Sequence, residues 1–479
     1  MKLVDLCLAA EIYCPPELWD VEISDITSDS RKVAKNSLFV CLCGLHGDGN
    51  DFVGEAYRRG AAAVLSDSRS DVPLKCSDAR LALARLCRKM YGDGIDKLSL
   101  VGVTGTNGKT SVTAMLRSVF DCAGYKTGSI GTLGCFSPSG ATDDGDGGNM
   151  TTPDTERLYK LLSKMAKDGA QYVFCELSSH ALALKKADAL RFRAGIFTNL
   201  TRDHLDFHKT EENYFEAKKR IFELSDIGIV NADDPAASKI SGALTCSARS
   251  SADFTARDIT YYGTEGCGYK FHSELCRFGV VSKIPGRFTV MNTLQTAACA
   301  VTLGVDPIYI KKGIYTLSAV NGRMEKIPLA GADFSVYIDY AHTPDALENL
   351  LLTAKGFAGN GRLVLLFGCG GDRDRGKRAD MARIASRLAD KIIITSDNCR
   401  TEKRQRIFDD ILKGIDKSCD FCLIESRKDA IESAVFEARG GDVILLAGKG
   451  HEKYEIDENG KHPFDELYIV QKAFRNRTG

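Results

Sequence analysis

The chain has 479 residues, with 64 Lys plus Arg against 64 Asp plus Glu and a formal net charge of zero. That length exceeds what one hydrophobic core usually serves, so two or three domains are expected. The charge balance argues against a generic binder of nucleic acid or anionic membranes. No apolar run reaches the roughly eighteen residues of a membrane span, and the first six residues carry an early acid and no cleavage pattern. The 17 cysteines are scattered through apolar contexts, where reduced Cys behaves as a small hydrophobe. The expectation is a soluble, cytoplasmic, monomeric protein. Cys419 and Cys422 have CxxC spacing, but with no second pair nearby the spacing reads as coincidence.

In chain order, residues 1–97 alternate strand-like runs (Ser37 to Leu42, Ala61 to Leu65) with helix-like ones (Phe52 to Arg59, Ala79 to Tyr91), a small α/β domain. The apolar run Leu98 to Val103 then leads into Thr104-Gly105-Thr106-Asn107-Gly108-Lys109-Thr110-Ser111, followed by a helical pattern. This is the layout of a phosphate cradle. Glycines let the backbone approach an anion, successive N–H groups and the helix N-terminus face it, Lys109 adds a point charge, and the Thr110 hydroxyl is placed to ligate Mg²⁺. Val103 stands where a strict P-loop has its first glycine, and Gly105 appears instead.

Between 98 and 324, buried runs at Tyr172 to Cys175, Ala194 to Thr198 and Ile227 to Val230, spaced by helical stretches, predict a parallel sheet with crossover helices. Ser137 to Gly148, rich in Gly, Asp and Ser, is expected to be a mobile surface loop. From 325 to 479 the rhythm restarts at Phe334 to Ile338, Leu363 to Phe367, Lys391 to Thr395 and Asp442 to Ala447, a Rossmann-like unit. The fold class is therefore α/β in three domains: a central parallel-sheet P-loop ATPase (98–324), flanked by a small N-terminal α/β domain (1–97) and a C-terminal Rossmann-like domain (325–479).

Ligands of doubly wound sheets gather at the carboxyl ends of strands. There lie Glu176-Leu177-Ser178-Ser179-His180 and Asn199-Leu200-Thr201-Arg202-Asp203-His204-Leu205-Asp206. A carboxylate ending a buried strand beside a phosphate loop is suited to Mg²⁺ or its water shell. With Tyr214 to Lys218, Gly322-Arg323-Met324, Asp339 to Pro344 and Gly448-Lys449-Gly450-His451-Glu452, these motifs cover nearly the whole chain and together resemble the Mur ligases.

The resemblance implies an ATP-dependent amide ligase of peptidoglycan biosynthesis, acting on UDP-N-acetylmuramoyl-L-alanyl-D-glutamate through an acyl phosphate and adding meso-2,6-diaminopimelate. The expected partners are thus ATP, the UDP-muramyl dipeptide and diaminopimelate, with no nucleic acid and no membrane insertion. Alternatives are a Mur ligase adding L-lysine or another diamino acid, a folylpolyglutamate synthase, or a catalytically silent homologue. By the same resemblance Lys109, Glu176, His204 and Lys218 are catalytic. Thr110, Glu176, His204 and a carbamylated Lys218 serve magnesium, and Gly105 to Ser111, Asn292, Arg323, Asp339 and His342 hold ATP. The UDP-muramyl dipeptide maps onto Ser28, Ser30, Leu45, His46, Gly47, Thr151, Thr152, Ser178 and Lys186. Met150, Leu184 and Lys186 depart from the asparagine, glutamine and arginine expected of relatives, and Lys186 keeps the charge while losing the bidentate fork.

Diaminopimelate maps onto Arg373, Asp397, Asn398, Cys399, Arg400, Gly448 and Glu452. Arg400 is the informative residue of this set. Diaminopimelate differs from lysine by a second carboxylate, which a guanidinium fork grips through two parallel hydrogen bonds. Cys399 replaces the proline usual in diaminopimelate enzymes, removing a fixed φ without touching the charge. Glu452 is suited to the distal ammonium.

Overall fold

The computed structural model describes residues 1–44, 47–142 and 150–478. The chain forms two compact units, the first comprising Met1–Thr104, Gly124–Phe197 and Ala217–Gly228, the second Gly105–Ala123, Thr198–Glu216 and Ile229–Gly479.

In the first unit, β1 (Asp25–Thr27), β2 (Ser37–Val40), β3 (Ala61–Ser66) and β4 (Leu74–Lys75) form a parallel sheet in sequence order. The helix Ala79–Tyr91 begins where Asp78 accepts from the N–H groups of Arg80 and Leu81, as an N-cap should. The unit also holds β5 (Ser99–Thr104), β6 (Thr127–Gly131), β7 (Gly134–Ser137), β8 (Gly140–Ala141), β9 (Tyr172–Glu176) and β10 (Phe192–Phe197). They run in the order β10-β5-β9-β6-β7-β8, parallel as far as β6 and antiparallel beyond it. One apolar core is continuous through the unit, joining Leu3, Leu38, Leu83 and Leu86 to Leu158, Leu162, Val173 and Ile221.

In the second unit, the end of β11 (Ser225–Asn231) pairs with β12 (Leu244–Ser247), which pairs with β13 (Phe254–Tyr261), all parallel. β14 (Cys267–His272) and β15 (Arg277–Ser282) then fold back as antiparallel hairpins. This part of 98–324 therefore departs from the expected all-parallel pattern. The physical reason lies in the connections: the turns 262–266 and 273–276 are too short for a crossover helix and reverse the chain directly.

A second departure lies in the glycine-rich segment expected to be a loop. Ser137 ends β7 and is buried, while the Thr142 N–H returns to the Cys135 carbonyl at 2.9 Å, closing a hairpin. Residues 143–149 of that segment lie outside the described residues.

The C-terminal sheet contains β16 (Glu325–Lys326), β17 (Ser335–Asp339), β18 (Leu363–Phe367), β19 (Lys391–Ile394), β20 (Phe421–Leu423) and β21 (Val443–Ala447), in the order β16-β17-β21-β18-β19-β20. All but β16 are parallel. Every residue of β18 and β21 is buried, as expected of central strands covered on both faces. Two apolar cores, one against each face of this sheet, hold it between helices. Among the described residues no helix is long and apolar enough to cross a membrane.

Candidate active site

In the first unit the carboxyl end of β9 delivers Glu176 into a buried polar knot. Its Oε1 accepts from the Thr132 N–H at 3.0 Å and its Oε2 from the Thr132 hydroxyl at 2.9 Å. Gly131 is required here, because a Cβ would sit 2.2 Å from Glu176 Oε1. Thr132 Oγ1 also lies 3.1 Å from Thr151 Oγ1, and Thr152 Oγ1 donates to the Glu176 carbonyl at 2.8 Å while accepting the Ser178 N–H at 2.9 Å. Thr151, Thr152, Glu176 and Ser178, named from separate motifs, are thus brought together. Lys186 pairs with Asp154 at 2.8 Å. Ser28 gives both its N–H and its hydroxyl to Glu156 Oε1, each at 2.7 Å. Ser30 is buried at the start of a 3-10 turn, and the Gly47 carbonyl accepts the Gly44 N–H at 2.8 Å. Leu45 and His46 lie outside the described residues.

Lys218, at the end of the helix Glu211–Lys219, is only 1% exposed. A lysine held inside a protein contrasts with a solvated helix lysine, which would keep its ammonium in water.

In the second unit the phosphate loop is held from behind by the residues after β10. A Cβ on Gly105 would lie 1.9 Å from Thr198 Oγ1, and one on Gly108 2.7 Å from Asn292 Oδ1, both at positive φ. Asn199 Oδ1 accepts the Asn107 N–H at 2.8 Å, and the Asn199 carbonyl accepts that of Thr106 at 3.0 Å. Lys109, at the first position of the helix Lys109–Cys122, donates its ammonium to the Gly105 and Thr106 carbonyls at 2.8 and 2.9 Å. Ser111 is buried in the same first turn, and Arg323 Nη2 donates to Thr110 Oγ1 at 3.2 Å.

Beside the loop opens a cleft of about 870 Å³ whose walls include Asn199, Arg249, Phe288, Asn292, Asp345 and Asn349. Of the expected nucleotide residues outside the loop, Asn292 lines this cleft. Arg323, Asp339 and His342 instead cluster at the end of β17. Asp339 accepts the N–H groups of Met324 and Ala341 at 2.7 Å each, and burial holds its carboxyl above the usual range against the pull of Arg323. The Arg323 guanidinium lies 4.6 Å from the Tyr340 ring centre. Phe288, Asp345 and Asn349 were not singled out by sequence, although Asp345 directly follows the Asp339 to Pro344 motif.

The loop after β10 is organised by Asp203, which lies inside the Asn199 to Asp206 motif but receives no role from it. It is buried, accepts the His204 N–H at 2.9 Å, and lies 3.2 Å from the buried Lys377 ammonium, 3.4 Å from His204 Nε2 and 3.7 Å from His342 Nε2. Burial pushes its carboxyl up, but Lys377 and the two histidines outweigh it and leave it well below the ordinary range. His204 sits at φ 54°, an uncommon conformation for a non-glycine residue. Of the residues expected to serve a metal, Glu176 and Lys218 belong to the first unit and Thr110 and His204 to the second. Among the described residues no three His, Cys, Asp or Glu side chains gather closely enough to hold a metal ion.

At the carboxyl ends of β18, β19 and β21 the loops carrying Arg373, Asp397 to Arg400 and Gly448 to Glu452 converge. A Cβ on Gly370 would lie 3.0 Å from Arg400 Nη1 and 3.9 Å from Arg373 Cγ, so both arginines flank one glycine. Arg400 Nη1 donates to the Gly371 and Asn398 carbonyls at 2.8 and 3.2 Å, and Arg373 Nη1 to that of Asp372 at 3.0 Å. Among the described residues neither arginine has a carboxylate within ion-pair distance. Burial, then the charge of Arg373, holds the Arg400 pKa below its ordinary value. Asn398 Nδ2 donates to Glu452 Oε2 at 2.8 Å, and burial followed by repulsion from Asp397 raises the Glu452 carboxyl. Cys399 is buried, its Sγ 3.9 Å from the Ile456 carbonyl. Gly448, at φ 114°, brings the backbone so close to Asp397 that a Cβ would lie 2.8 Å from its Oδ2.

A phosphate loop beside a cleft of nucleotide size, joined to a Rossmann-like sheet, is the framework of a nucleotide-dependent enzyme. Three family models match the chain: Mur ligase family catalytic domain over residues 22–88, Mur ligase middle domain over 103–300, and Mur ligase glutamate ligase domain over 322–450. The chain is similar to the UDP-N-acetylmuramoyl-L-alanyl-D-glutamate–2,6-diaminopimelate ligase 1 of Clostridium acetobutylicum, 40% identical over 476 residues covering 95% of each chain. A solved structure of a UDP-N-acetylmuramoyl-L-alanyl-D-glutamate–2,6-diaminopimelate ligase superposes with a TM-score of 0.69 at 31% identity, covering all of both chains. MurF ligase from Thermotoga maritima in complex with ADP shares the fold at 19% identity and a TM-score of 0.63, over 96% and 98% of the two chains. The chain belongs to the Mur ligase family.

Proposed function

We propose that the chain is the ATP-dependent ligase that joins meso-2,6-diaminopimelate to UDP-N-acetylmuramoyl-L-alanyl-D-glutamate in peptidoglycan biosynthesis. The observation that carries the amino-acid assignment is the pair Arg373 and Arg400 around Gly370, two guanidinium groups with no ion-paired acid among the described residues. Like charges held together favour an anion from outside, and the second carboxylate of diaminopimelate supplies one. Glu452 on the neighbouring loop suits the distal ammonium.

The chemistry follows from charge. The D-glutamyl side-chain carboxylate attacks the γ-phosphorus of ATP, the bond to the β-phosphate oxygen breaks, and ADP leaves. The amine of the incoming amino acid, having lost its proton, then attacks the acyl carbonyl, and the tetrahedral intermediate expels phosphate as the amide forms. Two anions must meet in the first step, so neutralising charge matters more than a covalent nucleophile. Lys109 and the loop N–H groups are suited to receive the β- and γ-phosphates, with the base and ribose in the cleft lined by Asn292. The buried Thr152, with the half-buried Thr151 and Ser178, would orient the peptide carboxylate, and Ser28, Ser30 and Gly47 would receive the uridine nucleotide.

In the second unit the Thr110 hydroxyl lies in the phosphate loop and His204 stands beside the buried Asp203, and in the first Glu176 ends a buried strand as a carboxylate; the oxygen donors among them are of the kind magnesium takes. A cation that keeps water and phosphate oxygens needs few protein ligands. When bound it would lower the charge on the transferring phosphoryl group, and the carbamate would be carried by Lys218. The burial of Lys218 supports a role inside the protein rather than that of a solvated surface lysine.

The test is phosphate release by the purified chain with ATP, magnesium and the UDP-muramyl dipeptide, comparing meso-diaminopimelate with L-lysine. Turnover restricted to diaminopimelate is expected. Equal use of lysine would overturn the amino-acid assignment and leave the ligase assignment standing.

A further inference from the structure

Behind the loops assigned to the amino acid lies a buried ionic assembly with no place in the chemistry above. Arg427 occupies the first turn of the helix Arg427–Phe436, which Ser426 caps through the Asp429 N–H. Its side chain is 0% exposed. Nε donates to Glu466 Oε1 at 2.7 Å, Nη1 to the Ser396 carbonyl at 3.3 Å, and Nη2 to the Ala447 carbonyl at 2.9 Å. Ser396 and Ala447 immediately precede Asp397 and Gly448. One guanidinium therefore grips both recognition loops where they leave the sheet.

The same two loops are joined again further out. The wholly buried Lys449 donates to Asn398 Oδ1 at 3.1 Å and to the Tyr454 carbonyl at 2.8 Å, and lies 3.5 Å from Asp397 Oδ1. Asn398 in turn holds Glu452. The contacts thus run from Arg427, through both loop bases, to the residues that face the substrate. Enclosing an arginine is costly unless its donors are all used, and a hydrophobic replacement of a buried ion pair is often no less stable. A merely structural pair has no need to direct two donors at the bases of two separate loops.

We propose that Arg427, anchored by Glu466, is a positioning residue that fixes the separation of the Asp397–Arg400 and Gly448–Glu452 loops and thereby sets the preference for a diamino acid with a second carboxylate. This inference rests on the reading that Arg400 and Glu452 hold diaminopimelate. A rigid fork meets three acceptors in fixed directions, whereas a lysine ammonium on a flexible stem does not. Displacing recognition groups by about an ångström is enough to lose roughly a hundredfold in rate.

The experiment uses the full chain with Arg427→Lys, Arg427→Met and Glu466→Gln, compared with Arg400→Ala. Circular dichroism and melting establish folding, and steady-state kinetics give kcat and KM for each substrate. For Arg427→Lys the KM for meso-diaminopimelate should rise about tenfold or more, and the preference over L-lysine should fall by a similar factor. The KM values for ATP and the UDP-muramyl dipeptide should stay within about twofold of wild type. Glu466→Gln, which keeps one acceptor oxygen, should move the same quantities less. If Arg427→Met fails to fold, the other two variants decide. Folded Arg427→Lys and Glu466→Gln enzymes that lose only melting temperature or kcat, at wild-type KM and preference, would overturn the positioning role. If Arg400→Ala also leaves that KM unchanged, the amino-acid site itself is misassigned.

Discussion

The phosphate loop and the proposed amino-acid site are built to receive anions by opposite means. The loop is built from a single short segment, its glycines pressed against Thr198 and Asn292 and its one cation, Lys109, folded onto its own carbonyls. The proposed amino-acid site draws residues from three strand ends and, among the described residues, keeps Arg373 and Arg400 apart from any ion-paired acid, with the buried Arg427 and Lys449 behind its loops. Phosphate recognition is largely a matter of main-chain shape, which any triphosphate can satisfy. Discrimination between two similar amino acids needs fixed charges at fixed separations, and these are assembled at long range.

The largest effect should come from Lys109→Ala, which removes the cation meant for the β- and γ-phosphates. Turnover should fall by about a thousandfold or more, and near-normal phosphate release would break the nucleotide half of the comparison. Next, Lys218→Ala should be nearly inactive and partly restored by short carboxylic acids, which place an anion where the carbamate would be. A fully active alanine variant would remove Lys218 from the metal-linked machinery.

Arg400→Ala bears on the other half. Losing a bidentate partner for a carboxylate should cost about 2–5 kcal/mol, roughly thirtyfold to a few thousandfold in kcat/KM for diaminopimelate, with little change for lysine. An unchanged ratio between the two amino acids would refute the selectivity role.

A smaller effect is expected from pH. The Glu452 carboxyl is raised above its ordinary 4.5, and only its ionised form attracts the distal ammonium. Affinity for diaminopimelate is therefore full above that raised pKa and falls as the solution is acidified through it, at a higher pH than an unperturbed glutamate would give. The profile of KM against pH for wild type and Glu452→Gln checks this, since the variant should lack that rise.

The smallest change should be Cys399→Pro, which alters only loop stiffness beside the αL residue Arg400. It should shift the amino-acid ratio by less than about fivefold. A larger shift would mean that loop rigidity, rather than charge, governs choice.

Much of this arrangement could be read before any coordinates, and the exceptions share a physical cause. The strand Ser99–Thr104, the glycine turn and the helix Lys109–Cys122 were legible because strand, turn and helix signals there are local and agree. Arg373, Arg400 and Glu452 were proposed from motifs, and the structure brings Arg373 and Arg400 close to one point at Gly370. Asp203, Lys377, Arg427 and Lys449 were not singled out, because a charged residue in a sequence reads as solvated until packing shows it buried. The antiparallel strands β13 to β15 were missed for a related reason. The parallel sheet expected over 98–324 rests on the runs up to Ile227 to Val230, and the stretch around Ala256 and Phe271 has no reading in it, although the short turns there are the deciding signal.

The continuous core running from Leu3 to Ile221 bears on how the chain comes apart. The helix Ala79–Tyr91 turns Leu83, Leu86 and Cys87 into the same apolar mass as Leu158 and Leu162 of the helix Thr155–Lys167. A fragment cut near Lys97 would carry that face uncovered into water, a sticky surface rather than a finished exterior. The first 97 residues are accordingly expected to be a poor transplantable module and to melt together with the strands from β5 to β10 in calorimetry.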